Sequence, residues 1–230
     1  VNDVVLALVS GALRRYLDKH DALPDAPLVT SVPVSIRAEG DTSMDNQISN
    51  MFVSLATDVD DPVERLKAIT RSTQSAKAMR NAIGAREIQS IGEVASPLIL
   101  GTAIRTIYRT SLMSKLPVRV NTVVSNVPGP EIPLYMCGGK VVGVFPSSVI
   151  LEGMGLNTTI FSYLDRVDFG IAVDPDLVPD VWVLAEAVPA ALVELMDASG
   201  LGQPTPVEPP LPIDAAVGTK TRKRATSARK

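Results

Sequence analysis

One cysteine, one histidine and nine aromatic side chains are all that 230 residues supply of the groups most often met at reactive centres. Cys137 has no partner for an internal disulfide, and with His20 it cannot build a metal site of histidine and cysteine ligands. A single cysteine among apolar neighbours reads as a small buried hydrophobe and suits a reducing compartment. Any Ser-His-Asp arrangement would have to use His20, and no nucleophile elbow accompanies it. No phosphate-binding loop or dinucleotide fingerprint is present, and Gly153-Met154-Gly155 lacks the third glycine. The longest apolar run, residues 97–104, is too short to span a bilayer and is closed by Arg105; no signal-peptide pattern is visible. With aromatics at 4% the core must be aliphatic. Alone, the chain does not read as a complete enzyme. Its start at Val1, already inside an amphipathic pattern, suggests a piece of something longer.

Aliphatic residues are plentiful. Apolar side chains make up 46% of the chain and mean hydropathy is +0.21, enough for a sizeable core. The densest β signal runs from 121 to 173. Residues 121–127 alternate and are β-branched, and Pro128-Gly129-Pro130 stops them because proline has no amide hydrogen to donate. Further strands are predicted at 140–145, 157–163 and 167–173, the last two joined as a hairpin through Leu164-Asp165-Arg166. Upstream, 28–36 reads as a strand that Pro33 confines to an edge or bulge, and 48–57 as another.

Helical patterns flank these strands and supply the cover that a sheet's apolar face requires. The first carries Leu6, Val9, Leu13, Tyr16 and Leu17 on one stripe, with Asn2 or Asp3 as its cap. Asp61-Pro62-Val63-Glu64 is a helix start, with an aspartate cap and proline at the first position; Leu66, Ile69, Thr73, Ala76 and Met79 would face inward. Residues 84–115 hold one or two more helices. Pro179-Asp180 opens a last one towards 199–200, which Pro189 should kink or split. From 203 onward prolines and six basic residues replace the pattern. This segment carries +4 against −7 for residues 1–202. The domain reading is therefore a globular unit over 1–202 and a Pro-rich, then basic, disordered tail over 203–230.

Four segments, in order, carry a resemblance: Val1-Asn2-Asp3-Val4-Val5-Leu6-Ala7, Val32-Pro33-Val34-Ser35-Ile36-Arg37, Ser125-Asn126-Val127-Pro128-Gly129-Pro130 and Gly155-Leu156-Asn157-Thr158-Thr159. Together they resemble the C-terminal half of the bacterial wax ester synthase/diacylglycerol acyltransferase family. Met44-Asp45-Asn46 departs from it, since the family more often has glycine before the asparagine. The resemblance implies an α/β fold, a chloramphenicol-acetyltransferase-like half-domain with a mixed sheet covered by helices. It also implies an O-acyltransferase that moves a long-chain acyl group from acyl-CoA to diacylglycerol or a fatty alcohol, without a cofactor beyond that substrate. The family's His-His-x-x-x-Asp-Gly motif is absent here, so an N-terminal half would supply it. A cytoplasmic protein at a membrane or lipid-droplet surface is implied, and nucleic acid is not a partner. A noncatalytic lipid-binding or membrane-surface module of the same fold is the alternative.

Site residues follow from the same resemblance. An oxyanion develops when an alcohol attacks a thioester, and a hydrogen-bond donor must meet it. Asn157 and Thr158, ahead of Asp168-Phe169-Gly170, are the donors the resemblance implies; on residues alone they read as ordinary strand positions. Asn2, Asp3, Ser125, Asn126, Pro128, Gly129 and Pro130 are placed along the substrate channel or the junction between halves. Arg37 and Asp168 are expected to form a partly buried ion pair. No metal ligand set is expected. Residues 92–115, with Arg105 and Arg109 beside an apolar stripe, read either as an interfacial helix or as one packed on its own core.

Overall fold

The computed structural model describes residues 1–37, 47–83, 120–150 and 153–202. Its elements are α1 (Asn2–Lys19), β1 (Val29–Ser35), β2 (Ile48–Ser54), α2 (Pro62–Ile83), β3 (Thr122–Val127), β4 (Tyr135–Met136), β5 (Gly139–Lys140), β6 (Leu156–Tyr163), β7 (Arg166–Val173) and α3 (Val181–Ala198). The expected helices over 84–115 and the tail lie outside the described residues.

Five strands form one mixed sheet in the order β2-β1-β3-β6-β7. The outer pairs, β1–β2 and β6–β7, are antiparallel, and β3 lies parallel to both β1 and β6. Strand residues alternate between faces. Val32, Met51, Val53, Val124, Leu156 and Ile160 therefore share one face, and they join α1 and α3 in the core. α1 packs on both α2 and α3 and is buried continuously from Val5 to Leu13. Asp61 caps α2 as expected, its Oδ1 accepting from the amides of Val63 and Glu64 at 2.9 and 2.8 Å.

Several local expectations are corrected. Val1 is the N-cap of α1, without a side-chain bond, and Asn2 is already helical. Pro33 lies in a strand with neighbours on both sides rather than at an edge. Registered pairing with β3 covers only Thr30 and Ser31, so at Pro33 the missing amide interrupts no ladder on that side. Met79 is exposed, and Arg65 is the buried residue on α2 that the apolar stripe did not include. α3 runs through Pro189 as one helix. Arg166 belongs to β7, leaving a two-residue turn at Leu164-Asp165.

The largest correction concerns 140–145. Only Gly139–Lys140 is a strand there, paired with Tyr135–Met136 in a separate small hairpin. Cys137 sits in its turn, exposed and at φ 51, not buried. Residues 141–150 form no ladder and cross, as a strap, the sheet face opposite α1 and α3.

Candidate functional site

The strap is held by side chains of β6 and β7 acting on its backbone. Tyr163, fully buried, accepts from the Leu134 amide at 2.7 Å and donates to the Val141 carbonyl at 3.1 Å. Asp168 accepts from the Val144 amide at 3.2 Å. Asn157 donates through Nδ2 to the Val149 carbonyl at 2.9 Å and to Ser148 Oγ at 3.4 Å, while its Oδ1 accepts from Thr159 at 3.2 Å. Gly170 completes the set, because a Cβ there would lie 1.7 Å from the Pro146 carbonyl oxygen. The Asp168-Phe169-Gly170 run thus has a local physical meaning: aspartate and glycine face the strap, and Phe169 faces the core.

Sequence reasoning grouped Asn157 with Thr158; the sheet separates them. Asn157 lies on the strap side with Ser125, which registers opposite Thr159. Thr158 lies on the helix side with Leu156, Ile160 and, across β3, Val124. Both are nearly inaccessible, at 5% and 3% exposure. Their chemical situations differ. The Asn157 amide is engaged on both sides, whereas the Thr158 hydroxyl has no hydrogen-bond partner among the described residues.

The Pro128-Gly129-Pro130 turn brings the end of β3 against β6. Gly129 N donates to Ser162 Oγ at 3.1 Å, and Leu164 N donates to the Pro130 carbonyl at 3.3 Å. A side chain at 129 would start 2.0 Å from the Ser162 carbonyl, so only glycine fits. Asn126 shares the helix face with Thr158 through the register Asn126↔Ile160. Asn2 and Asp3 are half-buried in the first turn of α1, and no hydrogen bond among the described residues ties them to these strands.

The ion pair expected between Arg37 and Asp168 does not form. Arg166 Nη2 approaches Asp168 Oδ1 at 3.6 Å instead. Arg37 follows β1, and β3 and β6 intervene before β7, which puts the two about 14 Å apart at ordinary strand spacing. The signal for the actual partner was in the sequence: Arg166 and Asp168 are two apart on one strand and so share a face.

A second polar cluster joins the three helices. Arg65 donates from Nη1 to the carbonyls of Val59 and Asp60 at 3.0 and 3.1 Å, and its Nη2 meets Glu194 at 3.3 Å. Arg15 reaches the same carboxylate at 3.3 Å. Burial lowers the Arg65 pKa, and the Glu194 charge opposes that. At the other end of α1, Tyr16 donates to Asp180 Oδ1 at 2.6 Å and His20 Nε2 lies 3.2 Å from Asp180 Oδ2. Burial and the Asp180 contact push the Tyr16 phenol up to about 12, and the Tyr16 hydrogen bond holds Asp180 below the usual carboxylate range.

Comparison with known proteins bears on this geometry. The family described as WS/DGAT C-terminal domain matches residues 44–196, which include every described strand but β1. A Mycobacterium tuberculosis protein provisionally named a diacylglycerol O-acyltransferase is 37% identical over 199 residues, covering 86% of this chain and 39% of its own length. The O-acyltransferase WSD of Acinetobacter baylyi is 42% identical over 171 residues, covering 74% of this chain and 36% of itself. Among solved structures, a wax ester synthase/diacylglycerol acyltransferase from Marinobacter aquaeolei superposes with a TM-score of 0.66 at 32% identity, over 87% of this chain and 44% of that one. The chain spans less than half the length of each of these relatives.

Proposed function

This chain belongs to the WS/DGAT C-terminal domain family, and we propose that it completes an O-acyltransferase that moves a long-chain acyl group from acyl-CoA to diacylglycerol or a fatty alcohol. The observation that carries this reading is the family match across the sheet that holds Asn157 and Thr158. In the reaction, the acceptor hydroxyl oxygen bonds to the thioester carbon, the C–S bond breaks, and the hydroxyl proton passes by way of a base to the departing thiolate. The base belongs to an N-terminal half bearing His-His-x-x-x-Asp-Gly. His20 does not replace it, since its ring packs on Tyr16 and its Nε2 faces Asp180.

Within this half the two strand residues have different roles. Thr158, whose hydroxyl is uncommitted among the described residues, is the candidate donor to the thioester oxygen. Asn157 is a positioning residue, holding the strap over the sheet. Ser125, Asn126 and the Pro128-Gly129-Pro130 turn line the junction between halves, with Asn2 and Asp3 at the start of α1. No helix among the described residues is long and apolar enough to cross a membrane; a peripheral position at a membrane or lipid-droplet surface fits water-insoluble acceptors.

The test measures triacylglycerol and wax ester formation from acyl-CoA by this chain alone and joined to its N-terminal half. Turnover is expected only from the joined form, because general-base catalysis supplies roughly a hundred- to ten-thousand-fold. Robust turnover by the chain alone, abolished by His20→Ala, overturns the two-half reading. In the joined form Thr158→Val should lower kcat by about a hundredfold, the usual effect of losing one oxyanion donor.

A further inference from the structure

Residues 132–140 leave the sheet as an arm that is poorly suited to standing in water. Ile132, Leu134, Tyr135 and Met136 are 66%, 39%, 68% and 73% exposed within five residues. The β4–β5 ladder at its tip contains two residue pairs, too few for independent stability. Glu131 and Lys140 flank the arm, and the residues between them carry no charge. Contiguous exposed apolar surface of this kind marks a contact with something else.

The base of the arm, unlike its tip, is fixed. Tyr163 Oη accepts from the Leu134 amide and donates to the Val141 carbonyl, while Val141 N donates back to Leu134 O at 2.9 Å. One fully buried side chain therefore closes the two ends of the loop. The arm also emerges directly after Pro128-Gly129-Pro130, which is wedged against Ser162 and so has little freedom to swing.

We propose that this arm is the element by which the chain grips its N-terminal half, with the Tyr163 hydroxyl as the clamp that sets its projection. The inference rests on the two-half reading above and adds the place of contact. Two observations select this occupant. The relatives carry more than half of their length outside the matched region, so in those proteins the rest of the chain offers a large surface to this half. The arm is also continuous at one end with the β3 turn and at the other with the strap that Asn157 anchors, so a partner seated on it lies along the Asn157 face of the sheet.

The experiment uses the protein with both halves present. A photoreactive phenylalanine analogue replaces Tyr135, and cross-linked peptides are mapped by mass spectrometry. Cross-links into the N-terminal half are expected. Cross-links only to a second copy of this chain, or only to phospholipid from added vesicles, overturn the proposal, as does the absence of any adduct. Tyr163→Phe keeps the ring and removes the clamp; it should reduce cross-link yield at least fivefold and acyl transfer about tenfold. Met136→Glu, at an exposed position that leaves folding intact, should reduce both similarly, and unchanged yield in both variants overturns the proposal. Acyl transfer by the parent protein separates the two ideas. An active enzyme whose arm cross-links elsewhere refutes the arm alone, whereas an inactive one refutes the acyltransferase reading.

Discussion

Arg65 joins three helices through one guanidinium: it stands on α2, faces Glu194 on α3, and shares that carboxylate with Arg15 of α1. Replacing it by methionine keeps most of the volume and strands the Val59 and Asp60 carbonyls. We expect a loss of about 3 kcal/mol in urea unfolding, since removing one partner of a buried pair leaves the other uncompensated. A loss below about 0.5 kcal/mol would reduce the cluster to a surface ornament. The Tyr16–Asp180 contact makes a pH statement with two signs. Tyr16 has a folded pKa above its unfolded value of 10.0, so its contribution is complete below pH 10 and disappears as pH rises towards about 12. Asp180 is depressed, so its contribution is present above the ordinary carboxylate range and fades as pH falls through the folded value. Tyr16→Phe should flatten the alkaline limb of a stability–pH curve; an unchanged limb assigns it to other groups. The Arg37 error belongs to this scale as well. The resemblance named Arg37 as the cation for Asp168, but the β1-β3-β6-β7 order decides which cations can reach it, and one residue's type does not reveal strand order.

At the scale of elements, the strap explains both what was legible and what was not. β1, β2, β3, β6 and β7 follow from alternation and β-branching because their neighbours are other strands, the situation those propensities describe. Residues 141–145 have the same composition, yet their backbone groups meet Tyr163 and Asp168 side chains rather than another strand. Local composition does not distinguish these partners. Cys137 was misread for a related reason, since apolar neighbours usually mean burial, and here they form an exposed hairpin. The aspartate cap at Asp61 was legible because a cap is decided within four residues. Asn157 and Thr158 were found by resemblance, while their opposite orientations required the register. The strap gives its own test. Gly170→Ala should force Pro146 away and cost about 3 kcal/mol, as overpacking does when backbone is the obstacle. Hydrogen exchange at the Val144 amide should accelerate in that variant, and unchanged protection there would show that the strap does not depend on the close approach.

For the whole molecule, the single thiol provides an inexpensive check. Cys137 is exposed in the hairpin turn, so a thiol reagent should titrate one group per chain without denaturant. Reaction only after unfolding would contradict the placement of the arm. The sheet itself divides in two. Between the β1–β2 pair and the β3-β6-β7 group, registered pairing amounts to Thr30↔Thr122 and Ser31↔Val123. It is reinforced by the Val29 amide on Asn121 Oδ1 and by Thr30 Oγ1 on the Thr122 carbonyl, contacts that join residues 92 apart in sequence. Such a seam has kinetic consequences. Pairing within each unit joins residues at most 34 apart, whereas the seam joins residues 92 apart and must overcome the entropy of closing that longer loop before it returns any contact. The two units should therefore behave as separate cooperative blocks in native-state exchange, with the amides flanking Thr30 and Thr122 opening at lower free energy than those in mid-β6. The molecule would then assemble its two wings early and join them last, and a substitution at Thr30 should slow the joining step while leaving either wing intact.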